Sequence, residues 1–333
     1  MRAPKQTYPG LLEGEKSMLV ENLLRRISCA ATLAGALASM AAGPAAATVL
    51  GGTSGAGPAM VQFGSQLCAG WTDTSHRLNV ACGDPTIGNF QGVTFNQSSA
   101  FAPALAVYEN TLWIAWTGTD SNHTLNIASV PLNGNTSLQA FVVGNNDASS
   151  QAPALAVAEV NSVQQLVIAW TGTDSSHHLN VASSVNVDPS STWSSTITLG
   201  QLASSGPSLA VWNGNLYIGW AGTDGNHSLN FAMATANTLS FGGAQQVRSG
   251  STVLGSSNGP SLTATANLNY GWRGAGSDIW IAFYNNTTPP ALPGTVGNSG
   301  VATGFSPALF TYEGALWIGW IDGNNELQAE LLP

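Results

Sequence analysis

The sequence predicts an all-β protein, a six-bladed β-propeller of four-stranded antiparallel blades whose N-terminal strand closes the last blade. Three observations predict it. A unit of roughly fifty residues recurs six times between positions 57 and 331. Each unit breaks into short β-prone runs punctuated by Gly, Asp, Asn and Ser, and nothing beyond residue 48 has helical spacing. The middle run of each unit is apolar on both faces, which suits a sheet covered on both sides.

The repeat is clearest in APALAVYENTLWIAWTGTDSNHTLNIAS (102–129) and GPSLAVWNGNLYIGWAGTDGNHSLNFA (206–232). A third clear copy spans 152–183, and weaker ones cover 57–81, 259–283 and 306–331. Six tryptophans hold one register: Trp71, Trp116, Trp170, Trp220, Trp272 and Trp320. Six prolines mark the matching unit starts: Pro58, Pro103, Pro153, Pro207, Pro260 and Pro307. Such a period is that of a propeller blade.

The second unit shows the four expected strands. Strand A is 104–108, with Pro103 just ahead, where a missing N–H does little harm. Strand B is 112–116, rich in β-branched and aromatic residues. The turn 118–123 carries Gly, Asp, Ser and Asn, and strand C follows at 124–129. Strand D is 138–143, ahead of a polar link to the next unit. In strand B, Leu112, Ile114 and Trp116 point one way and Trp113 and Ala115 the other, so neighbouring sheets must cover both faces. Large Trp beside small Ala or Gly suits interdigitation of those sheets.

The sixth unit runs only through strand C, while residues 47–50 and the GGTSGAGPAM after them resemble a link between units. A strand there is expected to complete the last blade and remove an exposed edge. Upstream, 18–47 has the order of a secretory signal peptide: Arg25 and Arg26, an apolar stretch from Ile27, then small residues up to Ala47. The stretch is too short and too rich in Ala and Gly for a membrane span. Residues 1–17 read as an upstream extension, and 48–333 as the propeller. The expected location is extracellular.

Charge narrows the partners. Beyond residue 48 only Arg77, Arg248 and Arg273 face fourteen carboxylates, a net charge of about −11. Nucleic acid and anionic membranes need dense cationic surfaces, so neither is an expected partner, and no membrane insertion is expected after signal removal. Cys68 and Cys82 flank a hairpin whose turn is near residues 74–76. In an oxidising compartment a cross-strand disulfide is expected, two buried thiols being the alternative.

The most repeated polar feature is the turn between strands B and C. It holds Asp120 and His123, Asp174 and His177, and Asp224 and His227, with a shortened version at Asp73 and His76. An Asn follows in each: Asn126, Asn180, Asn230 and Asn79. Two roles are open for this set. Asp accepts backbone N–H bonds in turns, and His and Asn brace the hairpin. Alternatively the set forms a rim of polar groups beside aromatics, one per blade, able to bond sugar hydroxyls. One His and one Asp per turn do not make a metal site. No nucleophile elbow, metal-binding helix or phosphate loop is present, so no catalytic residue and no cofactor is expected.

The units PALAVYENTLWIAWTGTDSNHTLN and PSLAVWNGNLYIGWAGTDGNHSLN resemble repeats of secreted bacterial proteins and, more loosely, blades of tachylectin-type and fucose-binding propeller lectins. That resemblance covers about 57–331 and implies sugar pockets between adjacent blades. A more distant resemblance is to the sialidase-like superfamily, with 188–193 (DPSSTW) similar to a degenerate Asp-box. Sialidases place three arginines on the substrate carboxylate; here Arg77 and Arg273 lie in repeat hairpins, and an active sialidase is not expected. The leading expectation is a multivalent lectin-like propeller with glycans or cell-surface polysaccharide as partners. The alternatives are a protein-interaction scaffold and a glycoside hydrolase or lyase with a site in the central channel.

Overall fold

A computed structural model describes residues 47–186, 193–285 and 297–332, with backbone alone for 297–302. The signal segment, apart from Ala47, and most of the Asp-box-like stretch lie outside the described residues.

Every repeat becomes one blade. A lone strand, β1 (Thr48–Thr53), comes first. Blade 1 is β2 (Ala59–Phe63), β3 (Gln66–Thr72), β4 (Arg77–Gly83) and β5 (Gln91–Ser98). Blade 2 is β6 (Ala104–Tyr108), β7 (Thr111–Thr117), β8 (Leu125–Ser129) and β9 (Phe141–Val142). Blade 3 is β10 (Ala154–Val160), β11 (Val163–Thr171), β12 (His178–Ser184) and β13 (Ile197–Leu202). Blade 4 is β14 (Ser208–Trp212), β15 (Asn215–Ala221), β16 (Leu229–Met233) and β17 (Gln245–Gln246). A small hairpin of β18 (Arg248–Ser249) and β19 (Thr252–Val253) follows. Blade 5 is β20 (Ser261–Ala264), β21 (Leu268–Arg273), β22 (Asp278–Tyr284) and β23 (Gly297–Ala302). Blade 6 is β24 (Ala308–Tyr312), β25 (Ala315–Ile321) and β26 (Glu326–Leu331), completed by β1.

All neighbouring strands within a blade are antiparallel, and the innermost strands contact one another in an unbroken circle from β2 through β24 and back to β2. The expected closure is present: Thr48 pairs with Ala329 and Val49 with Gln328. Leu50 is buried in the core between blades 6 and 1. The expected disulfide is present too. Cys68 and Cys82 are direct cross-strand partners on β3 and β4, with Cα atoms 4.1 Å apart.

The packing follows from the two-faced strand B. All six register tryptophans are buried, as are Trp113, Tyr217 and Trp317 beside them. The small residue before each Trp receives a side chain from the next blade. A Cβ on Gly70 would lie 3.2 Å from Leu105, and one on Gly271 would lie 2.9 Å from Leu309. Met60, Leu105, Leu155, Leu209, Leu262 and Leu309 therefore form a ring around the axis. They line two cavities in the channel, of about 520 and 400 Å³, one at each mouth.

The B–C turns share one face with the links between blades. His76 O accepts from Ser99 N (2.8 Å), His123 O from Ser149 N (3.0 Å) and His177 O from Ala203 N (3.0 Å). The threonine ending strand B ties down the link that follows: Thr72 Oγ1 donates to Phe101 O (2.7 Å), Thr117 to Gln151 O (2.7 Å) and Thr171 to Ser205 O (2.8 Å).

Candidate binding face

The turn aspartates fold their carboxylates back onto their own turns. Asp120 accepts from the Asn122 amide (3.0 Å) and from the Thr124 hydroxyl (3.0 Å). Asp224 does the same with Asn226 and Ser228. Asp174 takes the Ser176 and His178 amides and lies 2.9 Å from His178 Nδ1. Burial raises the Asp120 and Asp224 carboxyls, but the hydroxyl and amide donors outweigh it and hold both below the ordinary value. Asp174 is lowered chiefly by the His178 ring.

The histidines occupy a backbone slot. His76, His123, His177 and His227 all have positive φ, between 47° and 64°. The same slot holds Ser277 and Asn325 in blades 5 and 6. Each histidine N–H closes the turn on the Asp carbonyl, as in His227 N to Asp224 O at 2.8 Å. Their rings lie at the surface; His227 Nδ1 is 3.1 Å from Ser204 Oγ on the neighbouring link. The asparagines brace the hairpin: Asn126 Nδ2 donates to Thr124 O (2.7 Å), Asn180 Nδ2 to His178 O (3.0 Å) and Asn230 Nδ2 to Ser228 O (2.6 Å). The four sets stay on separate blades, side by side on one face.

At the seam between blades 6 and 1 more groups converge. A groove of about 390 Å³ is lined by Trp71, Phe90, Asp73, Arg77, Asn79 and the Gly51–Thr53 stretch of β1. Gly52 has φ +91°, and a Cβ there would sit 2.6 Å from Trp71 Cζ2, so glycine lets β1 cross close to the indole. Arg77 Nη2 and Asp73 Oδ2 are 2.9 Å apart. Burial raises the Asp73 carboxyl, but the Arg77 and Ser75 amides and the guanidinium together hold it below its usual range. Asn79 Nδ2 donates to Arg77 O (2.9 Å), and its Oδ1 accepts from the Thr94 hydroxyl. Of the turn residues expected from sequence, Asp73 and Asn79 fall in this groove and His76 does not. Arg77, Phe90 and the glycines of β1 were not among them. The available signal was the shortened first turn, with an arginine where blades 2 and 4 have Thr124 and Ser228.

The channel mouths are chemically different. Among the described residues no Asp, Glu, Lys, Arg or His lines either axial cavity. Among the described residues no cluster of His, Cys, Asp and Glu is suited to a metal ion, and no helix is long and apolar enough to cross a membrane.

No family model matches the sequence, and no curated protein is recognisably similar to it. Solved structures are similar in fold. The SapL1 lectin in complex with α-methyl fucoside aligns with a TM-score of 0.58 at 9% identity, over 84% of this chain and 94% of that one. The Aleuria aurantia lectin in complex with α-methyl-L-fucoside aligns with a TM-score of 0.55 at 12% identity, over 82% and 89%. The shared feature is the propeller fold. A luciferin-regenerating enzyme aligns equally well, with a TM-score of 0.55 at 11% identity over 87% and 96%.

Proposed function

We propose that the protein is a secreted carbohydrate-binding propeller whose best-formed site is the seam groove. The observation that carries this reading is the composition of that groove. Phe90 supplies half-buried apolar ring surface with the buried Trp71 indole behind it, the exposed Arg77 guanidinium brings a planar hydrogen-bonding group beside it, and the buried Asn79 braces the hairpin that carries Arg77. A sugar offers the complement, an apolar face of C–H groups rimmed by hydroxyls. Two solved propellers of similar fold hold fucosides, which supports the ligand class.

Hydrolysis fits less well than binding, because glycosidases act through a pair of carboxylates and neither channel mouth offers one. The Cys68–Cys82 bridge supports an oxidising destination, in keeping with a signal peptide at 18–47. In this reading the turns of blades 2 to 4 are weaker companion sites. Their aspartate oxygens are engaged, so the contacts would come from Asn122, Asn226 and the imidazole edges. Several weak sites on one face gain avidity on a polysaccharide.

The test is a glycan array with the wild-type chain, Arg77→Ala and Asp73→Asn. Wild type is expected to bind a restricted set of glycans. Arg77→Ala should weaken that binding by about tenfold or more, the cost of a charge-assisted contact. Binding unchanged in both variants would remove the seam groove, and a blank array would remove the carbohydrate reading.

A further inference from the structure

The residue two places before each strand-A proline departs from the sixfold pattern in an ordered way. Around the ring it is Phe305, Ala56 and Phe101 on three successive links, then Gln151, Ser205 and Asn258 on the other three. All six line the cavity of about 520 Å³ at the link-face mouth of the channel. One arc of the mouth is apolar, with two half-buried phenyl rings, and the facing arc is polar and uncharged.

The polar arc has unspent hydrogen-bonding capacity. Ser205 is only 5% exposed, yet its Oγ has no hydrogen-bond partner. Buried hydroxyls are nearly always paired with protein or water, so this one leaves a hydrogen-bond demand just beneath the lining. The Gln151 side-chain amide makes no hydrogen bond within the described residues. Asn258 Oδ1 accepts from Arg273 Nη1 and from Ser257 Oγ, both at 3.2 Å, and its NH₂ group makes no hydrogen bond within the described residues. Arg273 is itself held by Thr303 O and Ser277 Oγ, both at 2.8 Å.

We infer that this mouth is a second binding site, separate from the seam groove, for one neutral pyranose ring. The apolar face of the sugar lies on the Phe101–Phe305 arc, and its hydroxyls pair with the half-buried Gln151 and Asn258 side chains. The cavity volume falls within the range of small-molecule sites, about 300–1,000 Å³. Among the described residues no ionisable side chain lines the cavity, and the one cation behind it, Arg273, is already hydrogen-bonded to Asn258, Thr303 and Ser277, so a charged sugar would lose its hydration without a free countercharge and the site favours neutral rings. The ligand class rests on the carbohydrate reading; the position does not.

Met60 lies in the ring between the two axial cavities, so its methyl signal, assigned by Met60→Leu, reports a guest in the channel, while Gln151 and Phe101 line only the link-face mouth and assign the response to it. The Trp71 indole N–H reports the seam groove separately. The probes are methyl β-D-glucoside, methyl β-D-galactoside and methyl α-L-fucoside, with methyl β-D-glucuronide as the charged control. At least one neutral glycoside should shift the Met60 methyl signal saturably, and the glucuronide should not. Gln151→Leu and Phe101→Ala should each weaken that response about tenfold, while Arg77→Ala leaves it intact. A Met60 signal unmoved by every neutral glycoside overturns the mouth site whatever Trp71 reports. So does a response equal in wild type and both mouth variants.

Discussion

The turn residues show how one side chain can be plain in a sequence and ambiguous in purpose. The recurrence of Asp and His was visible, but the work of each atom was not. Asp120 spends its oxygens on Asn122 and Thr124, and His123 sits where φ is 54°. That slot accepts Ser277 or Asn325 equally, so the backbone does not demand histidine. The carboxylates carry a pH consequence. Asp73, Asp120, Asp174 and Asp224 are all lowered in the folded chain, so folding favours their ionised forms. Their contribution is complete above the unfolded value of about 3.9 and is lost as pH falls through the lower folded values. Urea midpoints should therefore drop between about pH 5 and pH 2. Asp120→Asn combined with Asp224→Asn should lower the neutral-pH midpoint and make the acid drop shallower. An acid limb identical to wild type would show that these turns do not titrate with folding.

At the scale of the strand, legibility depended on position in the blade. Strands A and B were readable almost to the residue, because packing between blades forces their alternation of large and small side chains. Strand B of blade 2 was expected at 112–116 and runs Thr111–Thr117. Strand D was expected at 138–143, and only Phe141–Val142 pairs. An outermost strand is bonded on one side and faces water on the other, so little in its sequence marks it. The Gly–Leu contacts between blades offer a direct check. Gly271→Ala would place a methyl group 2.9 Å from the Leu309 side chain. Overpacking of this kind costs about 1–3 kcal/mol. Gly225→Ala, in an open turn with nothing within 4 Å, should cost far less. Equal denaturation midpoints for the two variants would refute tight packing at that contact.

At the scale of the molecule, six units and their closure followed from the sequence, because Trp and Pro hold register through all of them. The seam groove did not, because it joins residues about twenty positions apart in the chain and on different blades, Gly52 and Trp71 among them. Closure rests on β1. Deleting 48–55 removes a ladder whose bonds contribute about 1 kcal/mol each and, with it, the buried Leu50 side chain, worth about 2 kcal/mol. Thermal midpoint should fall and soluble aggregates should appear on size exclusion, since β26 would then present a bare edge. A deletion variant as stable as wild type would contradict the closure.

Gly51–Thr53 of β1 forms one wall of the Trp71–Arg77 groove, and blade 1 forms the other. Both walls come from residues 50–94, so a guest lodged there would pin β1 against blade 1 and hold it in place for its pairing with β26. Peeling β1 away from blade 1 would then require ejecting the guest, which at a hundredfold excess over Kd adds about 2.7 kcal/mol to that step. Occupancy and resistance to unzipping would rise together, and a scaffold of this build would be hardest to dismantle while attached to the surface it recognises.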